Sequence, residues 1–117
     1  MKRSRGSRMR KVNELMREVI AEEAAKLKDP RIGFLTITDV RTSPDLRTAK
    51  VYFSVLDEED KEGTAAALKS AHHRLQRAVA NQAHLKYTPV LEFEVDDALE
   101  RGLRISKLLH ELEVEDE

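Results

Sequence analysis

Apolar positions along this chain change period several times, and each change marks an element. Between Met9 and Lys28 they fall at Val12, Leu15, Met16, Val19, Ile20 and Leu27, with Ala24 filling the gap. Steps of three and four place them on one stripe, which predicts an amphipathic helix of about five turns. Ser7 is a candidate cap for that helix. Asp29-Pro30 stops it, because a residue before proline is pushed out of helical space, and Gly33 relaxes the backbone beyond. From Phe34 to Val40, β-branched and aromatic residues alternate with Thr36, Thr38 and Asp39, which predicts a strand. Ser43-Pro44-Asp45-Leu46 reads as a turn with proline in its second position. A second strand follows from Ala49 to Leu56, with Val51, Phe53 and Val55 on one face and Lys50, Tyr52 and Ser54 on the other. The short connection makes the pair an antiparallel hairpin.

Asp57 to Gly63 reads as an acidic loop. Thr64 to about Lys86 is helical by composition, with Leu68, Leu75 and Val79 as its stripe and many alanines. The stripe drifts near Ser70–His73, which predicts a kink or a break into two helices there. A third strand starts at Thr88-Pro89, with Leu91, Phe93 and Val95 inward and Glu92 and Glu94 outward. From Asp96 onward Leu99, Leu103, Ile105, Leu108 and Leu109 give a weak helical period. The order helix, strand, strand, helix, kink, helix, strand predicts an α+β domain, a three-stranded sheet covered by helices on one face. Residues 1–8 read as a flexible basic arm, 9–97 as the domain, and 98–117 as a tail, partly helical and then acidic.

Charge changes this picture by separating the two halves of the chain. The net charge of −1 conceals 13 Lys/Arg against 7 Asp/Glu in residues 1–50, and 8 against 15 in residues 51–117. Six basic residues and no acid occupy residues 1–11, and residues 64–91 also lack any acid. The acids gather at Asp57–Glu62 and Glu111–Glu117. Segregation of this kind predicts a basic face for a polyanion and an acidic face or tail directed away from it. With 117 residues and 37% charged residues, the chain fits one small domain with a heavily solvated surface. No apolar run approaches the roughly 20 residues that span a bilayer, and no apolar segment follows the basic N-terminus as in a secretory signal. No membrane association is expected, and the cytoplasm is the expected location.

Catalytic and metal chemistry find little to use. Without cysteine there is no disulfide, thiolate or cysteine-based zinc site. There is no Gly-Xaa-Ser-Xaa-Gly elbow and no glycine-rich phosphate loop, and the serines have no evident His/Asp partners. His72 and His73 are adjacent on a helix and so point about 100° apart, a poor ligand pair. Asp57–Asp60 lack the alternating spacing of a calcium loop. No enzyme, metal or cofactor is therefore expected. The clustered cations are the remaining chemistry. They are Arg3, Arg5, Arg8, Arg10 and Lys11 in the arm and first helix; Arg31, Arg41 and Arg47 around the hairpin; and Lys69, Arg74, Arg77 and Lys86 in the kinked segment, with His72 and His73 between. Such clusters attract phosphates independently of sequence. With two tyrosines and no tryptophan, stacking on bases is limited and recognition should rest on backbone and shape. A module whose basic face meets an acidic protein remains the alternative, with a small hydrolase third.

The element order resembles a type II KH-like domain, a fold of RNA binders. More specifically, the chain resembles the bacterial ribosome-binding factor A family over residues 8–110. The resemblance is carried by Arg10-Lys11-Val12, Glu18-Val19-Ile20, Asp29-Pro30-Arg31-Ile32-Gly33, Val40, Ser43, Asp45-Leu46 and Ala49-Lys50-Val51-Tyr52, then by Pro89, Leu91-Glu92-Phe93, Asp96, Gly102 and Ile105. The family's kink often reads Ala-Xaa-Gly where KH domains carry a Gly-Xaa-Xaa-Gly loop; here it reads Ala71-His72-His73, and Ala98 stands where a serine is usual. The resemblance implies a monomeric factor that binds the free small (30S) ribosomal subunit and 16S rRNA. It further implies aid to late 16S rRNA maturation at the 5′ end, and to growth in the cold.

Overall fold

The computed structural model describes residues 5–97 and 106–113. Six elements make the body: α1 (Arg5–Ala24), β1 (Leu35–Thr42), β2 (Thr48–Val55), α2 (Lys61–Ser70), α3 (His72–Gln82) and β3 (Val90–Val95). Residues 106–113 form a further helix, α4, exposed along its whole length. The order matches the α+β, type II KH-like expectation. Several boundaries moved. Helix α1 begins at Arg5, inside the stretch expected as an arm, so Ser7 lies within the helix instead of capping it. It ends at Ala24, four residues before Lys28, and closes through turn hydrogen bonds from Lys26 N–H to the Glu23 carbonyl and Leu27 N–H to the Ala24 carbonyl, each 3.1 Å. Part of the expected acidic loop is helical too: a single 3-10 turn at Glu58–Asp60 runs into α2. Helix α3 stops at Gln82, four residues short of Lys86. His84 follows its C-terminus at a φ of 49°, the left-handed position that ends many helices.

The sheet has the order β1-β2-β3. The first two strands form the predicted antiparallel hairpin, with Ile37 opposite Phe53 and Val40 opposite Val51. A bulge at Thr38 shifts the register between Ile37 and Asp39, which keeps Val40 on the core side. The hairpin turn closes by a hydrogen bond of 2.9 Å from Leu46 N–H to the Ser43 carbonyl, with Leu46 itself at a φ of 61°. Strand β3 runs parallel to β2, pairing Val51 with Phe93; a parallel neighbour needs a long crossover, and α2 and α3 supply it.

The core lies between one sheet face and the helices. Met16, Val19 and Ile20 from α1, Leu68 from α2, and Leu75 and Val79 from α3 bury against Val40, Val51, Phe53 and Leu91. Leu15, at 39% exposure, sits at the rim of the helical stripe instead of within it. The opposite sheet face is polar and no described helix covers it; it carries Thr36, Asp39, Arg41, Lys50, Tyr52 and Glu94.

Gln76 has a role in holding β3. Its side-chain amide donates to the Pro89 carbonyl and accepts from Leu91 N–H at 3.1 Å, so one side chain pairs the outer edge of the strand as a neighbouring backbone would. Replacing it by leucine leaves two partly buried backbone groups without a partner. Gln76→Leu should therefore lower stability by about 1–3 kcal/mol in urea denaturation, with faster amide exchange at Leu91. An unchanged midpoint would show that β3 does not need the clamp.

Candidate nucleic-acid interface

The chain from α1 into β1 is packed onto the start of α2. Gly33 lies against the Asp60 side chain so closely that any Cβ there would collide with it. A Cβ on Gly63 would sit 3.3 Å from the Arg31 carbonyl oxygen. That same oxygen accepts a 3.4 Å hydrogen bond from the fully buried Thr64 hydroxyl. Within the loop, Arg31 binds Asp29 through its backbone N–H at 2.9 Å, its Nε at 3.0 Å and its Nη2 at 2.6 Å. Nη2 also reaches the Ser70 hydroxyl at 3.3 Å, at the end of α2. The loop therefore touches the break between α2 and α3, where Ala71 leaves helical geometry at φ −89° and ψ 8°.

The break gathers a set of polar groups. A shallow groove of about 480 Å³ runs between Lys28, Arg31, Ser70 and Ala71. A second, of about 630 Å³, lies between the break and β3, with Lys69, His72 and His73 on one wall and Leu91, Glu92 and Phe93 on the other. The two imidazoles meet edge to face with ring centres 5.9 Å apart. Among the described residues no group of three or more His, Asp or Glu side chains could hold a metal ion.

The predicted cations fall into two kinds. Four are engaged by a carboxylate. Arg31 is held by Asp29 at 2.6 Å, Arg41 by Asp39 at 3.1 Å, Arg47 by Asp45 at 3.9 Å and Arg74 by Glu23 at 2.7 Å. Arg41 also lies over the Tyr52 ring, 5.5 Å from its centre. Residues 64–91 hold no acid of their own, but the fold brings Glu23 to Arg74, and Arg31, Arg41 and Arg47 are each paired with an aspartate of their own segment. Three of the pairs are Asp-Xaa-Arg triplets, in which a carboxylate two residues back reaches the guanidinium from the same side of the strand or loop. The fourth ties the end of α1 to the first turn of α3. The other kind, Arg8, Arg10, Lys11, Lys69, Arg77 and Lys86, makes no ion pair among the described residues. Each is exposed. Lys86 lies over the Tyr87 ring, 5.5 Å from its centre. Arg3 lies outside the described residues, and of Arg5 only the helical backbone is described.

Two ends of the domain carry these groups. Asn13 of α1 accepts a 3.0 Å hydrogen bond from Thr42 N–H, and Val90 N–H donates to the Arg47 carbonyl at 2.9 Å. The first half of α1, the hairpin turn and the Lys86–Tyr87 loop therefore share one end. Lys28, Arg31, Lys69, His72, His73 and Arg74 share the other, around the break. Lys28 was not among the residues predicted from sequence. It stands one residue before Asp29-Pro30, and the signal for it was its position on the helix exit.

The comparison with known proteins decides the family. Residues 8–109 match the family model described as ribosome-binding factor A. This chain belongs to the ribosome-binding factor A family. A ribosome-binding factor A from Rubrobacter xylanophilus is 43% identical over 111 residues, covering 94% of this chain and 91% of that one. One from Geobacter sulfurreducens is 42% identical over 111 residues, covering 93% and 94%. The crystal structure of ribosome-binding factor A from Thermus thermophilus superposes with a TM-score of 0.69 at 33% identity, over 74% of this chain and 94% of that one. Coordinates of the Thermus thermophilus factor fitted into a cryo-electron microscopy map of a complex with the 30S subunit give 0.61 at 36% identity, over 71% and 89%.

The Asp29–Arg31 clamp has a pH signature. The hydrogen bonds from the Arg31 guanidinium, then the one from its backbone N–H, hold the Asp29 carboxyl down at about 2 instead of its ordinary 3.8. A depressed folded value means the contribution is fully present above 3.8 and lost as pH falls through 2. An NMR titration should find the Asp29 midpoint near 2, and Arg31→Gln should raise it toward, but not fully to, the ordinary 3.8, because the backbone N–H of residue 31 still donates to the carboxylate. An ordinary midpoint in the unaltered protein would show that the clamp is not formed in solution.

Proposed function

We propose that this protein is a non-catalytic assembly factor that binds the free small ribosomal subunit through 16S rRNA. Its work is to aid late maturation of that RNA, including its 5′ end, and growth in the cold; it acts as a monomer in the cytoplasm. The observation that carries this reading is the membership of a ribosome-binding family, together with cations on the helical side of the domain that form no ion pair among the described residues. No helix among the described residues is long and apolar enough to cross a membrane.

Phosphate contacts fall to the cations that no described carboxylate holds, Arg8, Arg10 and Lys11 on α1, Lys69 beside the break, Arg77 further along α3 and Lys86 in the loop after it. Helix α3 supports them, since its first turn carries no acid and the N-terminal end of a helix favours anions. His72 and His73 line the groove beside Lys69 and add donors at its wall. Tyr87 is 61% exposed and is positioned for stacking, whereas Tyr52 lies under Arg41 on the other sheet face. As a non-catalytic factor it acts on RNA thermodynamically. Binding one RNA conformation more tightly than its competitors raises that conformation's population by the ratio of the two affinities.

Sedimentation with free small subunits and with assembled ribosomes tests this directly. Co-migration with free subunits alone, weakening steeply as salt rises, is the expected result. Partners that survive nuclease treatment would instead favour a protein contact. Lys69→Gln combined with Arg77→Gln should weaken subunit binding by about tenfold or more and flatten the salt slope by about 0.7–0.9 per lost phosphate contact. Arg41→Gln and Arg47→Gln, whose charges are already held by aspartates, should change it less than about twofold. The reverse ranking would place the RNA on the hairpin side of the molecule.

A further inference from the structure

Helix α4 presents a leucine face that no described element buries. Leu108, Leu109 and Leu112 are 58%, 57% and 57% exposed, and their spacing of one, three and four places them on one side of the helix. The body has a matching patch. Phe34 and Leu56 are 77% and 78% exposed, the two most exposed large apolar residues described there. They stand opposite each other at the end of the hairpin, joined by a 3.2 Å hydrogen bond from Leu56 N–H to the Phe34 carbonyl. Two residue pairs inward, beyond Leu35 and Val55, Thr36 pairs with Ser54 on the open sheet face, so by the two-residue alternation Phe34 and Leu56 point to that side. A depression of about 360 Å³ lies between them, and Val95 and Asp96 form part of its lining. The chain therefore leaves β3 at the rim of the patch.

We propose that α4 folds back onto this end of the open sheet face and seats its leucines on Phe34 and Leu56. Residues 98–105 separate the described body from α4, and eight residues reach at most about 29 Å when extended. A tether that short holds α4 at an effective concentration in the millimolar range. At micromolar protein the chain's own patch outcompetes the same patch on a second copy by about a thousandfold. The rest of the open face is polar and internally paired, with Thr38 bound to Asp96 at 2.6 Å and Lys50 to Glu94 at 3.5 Å. It offers leucine no second seat. This inference stands apart from the RNA reading and uses none of its residues.

The chain has no cysteine, so introduced thiols report on one contact without background. In the full-length protein at low micromolar concentration, Leu56→Cys with Leu109→Cys should oxidise to an intramolecular disulfide. The control pair, Leu15→Cys with Leu109→Cys, samples a half-exposed leucine on α1 and should react at least about tenfold more slowly. Equal rates for the two pairs, or disulfide-linked dimers as the main product, would overturn the proposal, the latter in favour of a second copy as occupant. An independent readout avoids new bonds: Phe34→Ser should speed amide exchange across residues 106–113 by about tenfold, and unaltered exchange would also overturn it.

Discussion

The carbonyl oxygen of Arg31 lies between Gly63 and the buried hydroxyl of Thr64, and the relative placement of the helices follows from that contact. It fixes where the chain leaving α1 meets the chain entering α2. Gly33 permits the same approach two residues on, against Asp60. With the loop held there, Arg31 faces both Asp29 behind it and Ser70 ahead of it. The break at Ala71 is thereby set beside the helix exit, and the two grooves that meet at it acquire Lys28 and Lys69 respectively. Packing fixes the geometry, and the surface charge is arranged on what packing has fixed.

The division of the cations follows from the same scaffold. An exposed ion pair contributes little to stability, because water screens it and two long side chains lose freedom. Its effect on binding is larger than its effect on folding. A guanidinium already facing a carboxylate carries a neighbouring negative charge that a phosphate must also meet, so its net attraction is reduced. Arg41 and Arg47 are in that position on the hairpin. Lys69 and Arg77 are not, and they sit on the helices that also form the core against β2 and β3. These two cations are therefore mounted on helices anchored by their buried faces, Leu68 on α2 and Leu75 and Val79 on α3.

Much of this was legible in the sequence. The alternation in Val51-Tyr52-Phe53 fixed the hairpin's faces, and the drifting stripe near Ser70–His73 marked the break. Helix ends were less legible. Turn hydrogen bonds close α1 before Lys28, and His84 adopts a left-handed conformation usually left to glycine or asparagine. The ion pairs were partly readable, since Asp29, Asp39 and Asp45 each precede an arginine by two. The pair between Glu23 and Arg74 was not, because 51 residues separate them and only the packing of α1 on α3 brings them together. Gln76 gave no sequence signal, since a polar residue on an amphipathic helix reads as solvated until the strand edge is seen beside it.

That glutamine has a consequence for how the protein behaves in company. A sheet with three strands has two rims, and a bare rim invites another chain's strand to extend it. Here the rim of β3 is occupied from Pro89 to Leu91 by a side chain that imitates a strand, and the remainder faces the helical break. The rim of β1 is distorted at Thr38, where the ladder loses its regular register. Neither rim is a flat template. The domain can be crowded among its own copies without being drawn into a continuous sheet, and its helical surface stays available for a partner of a different kind.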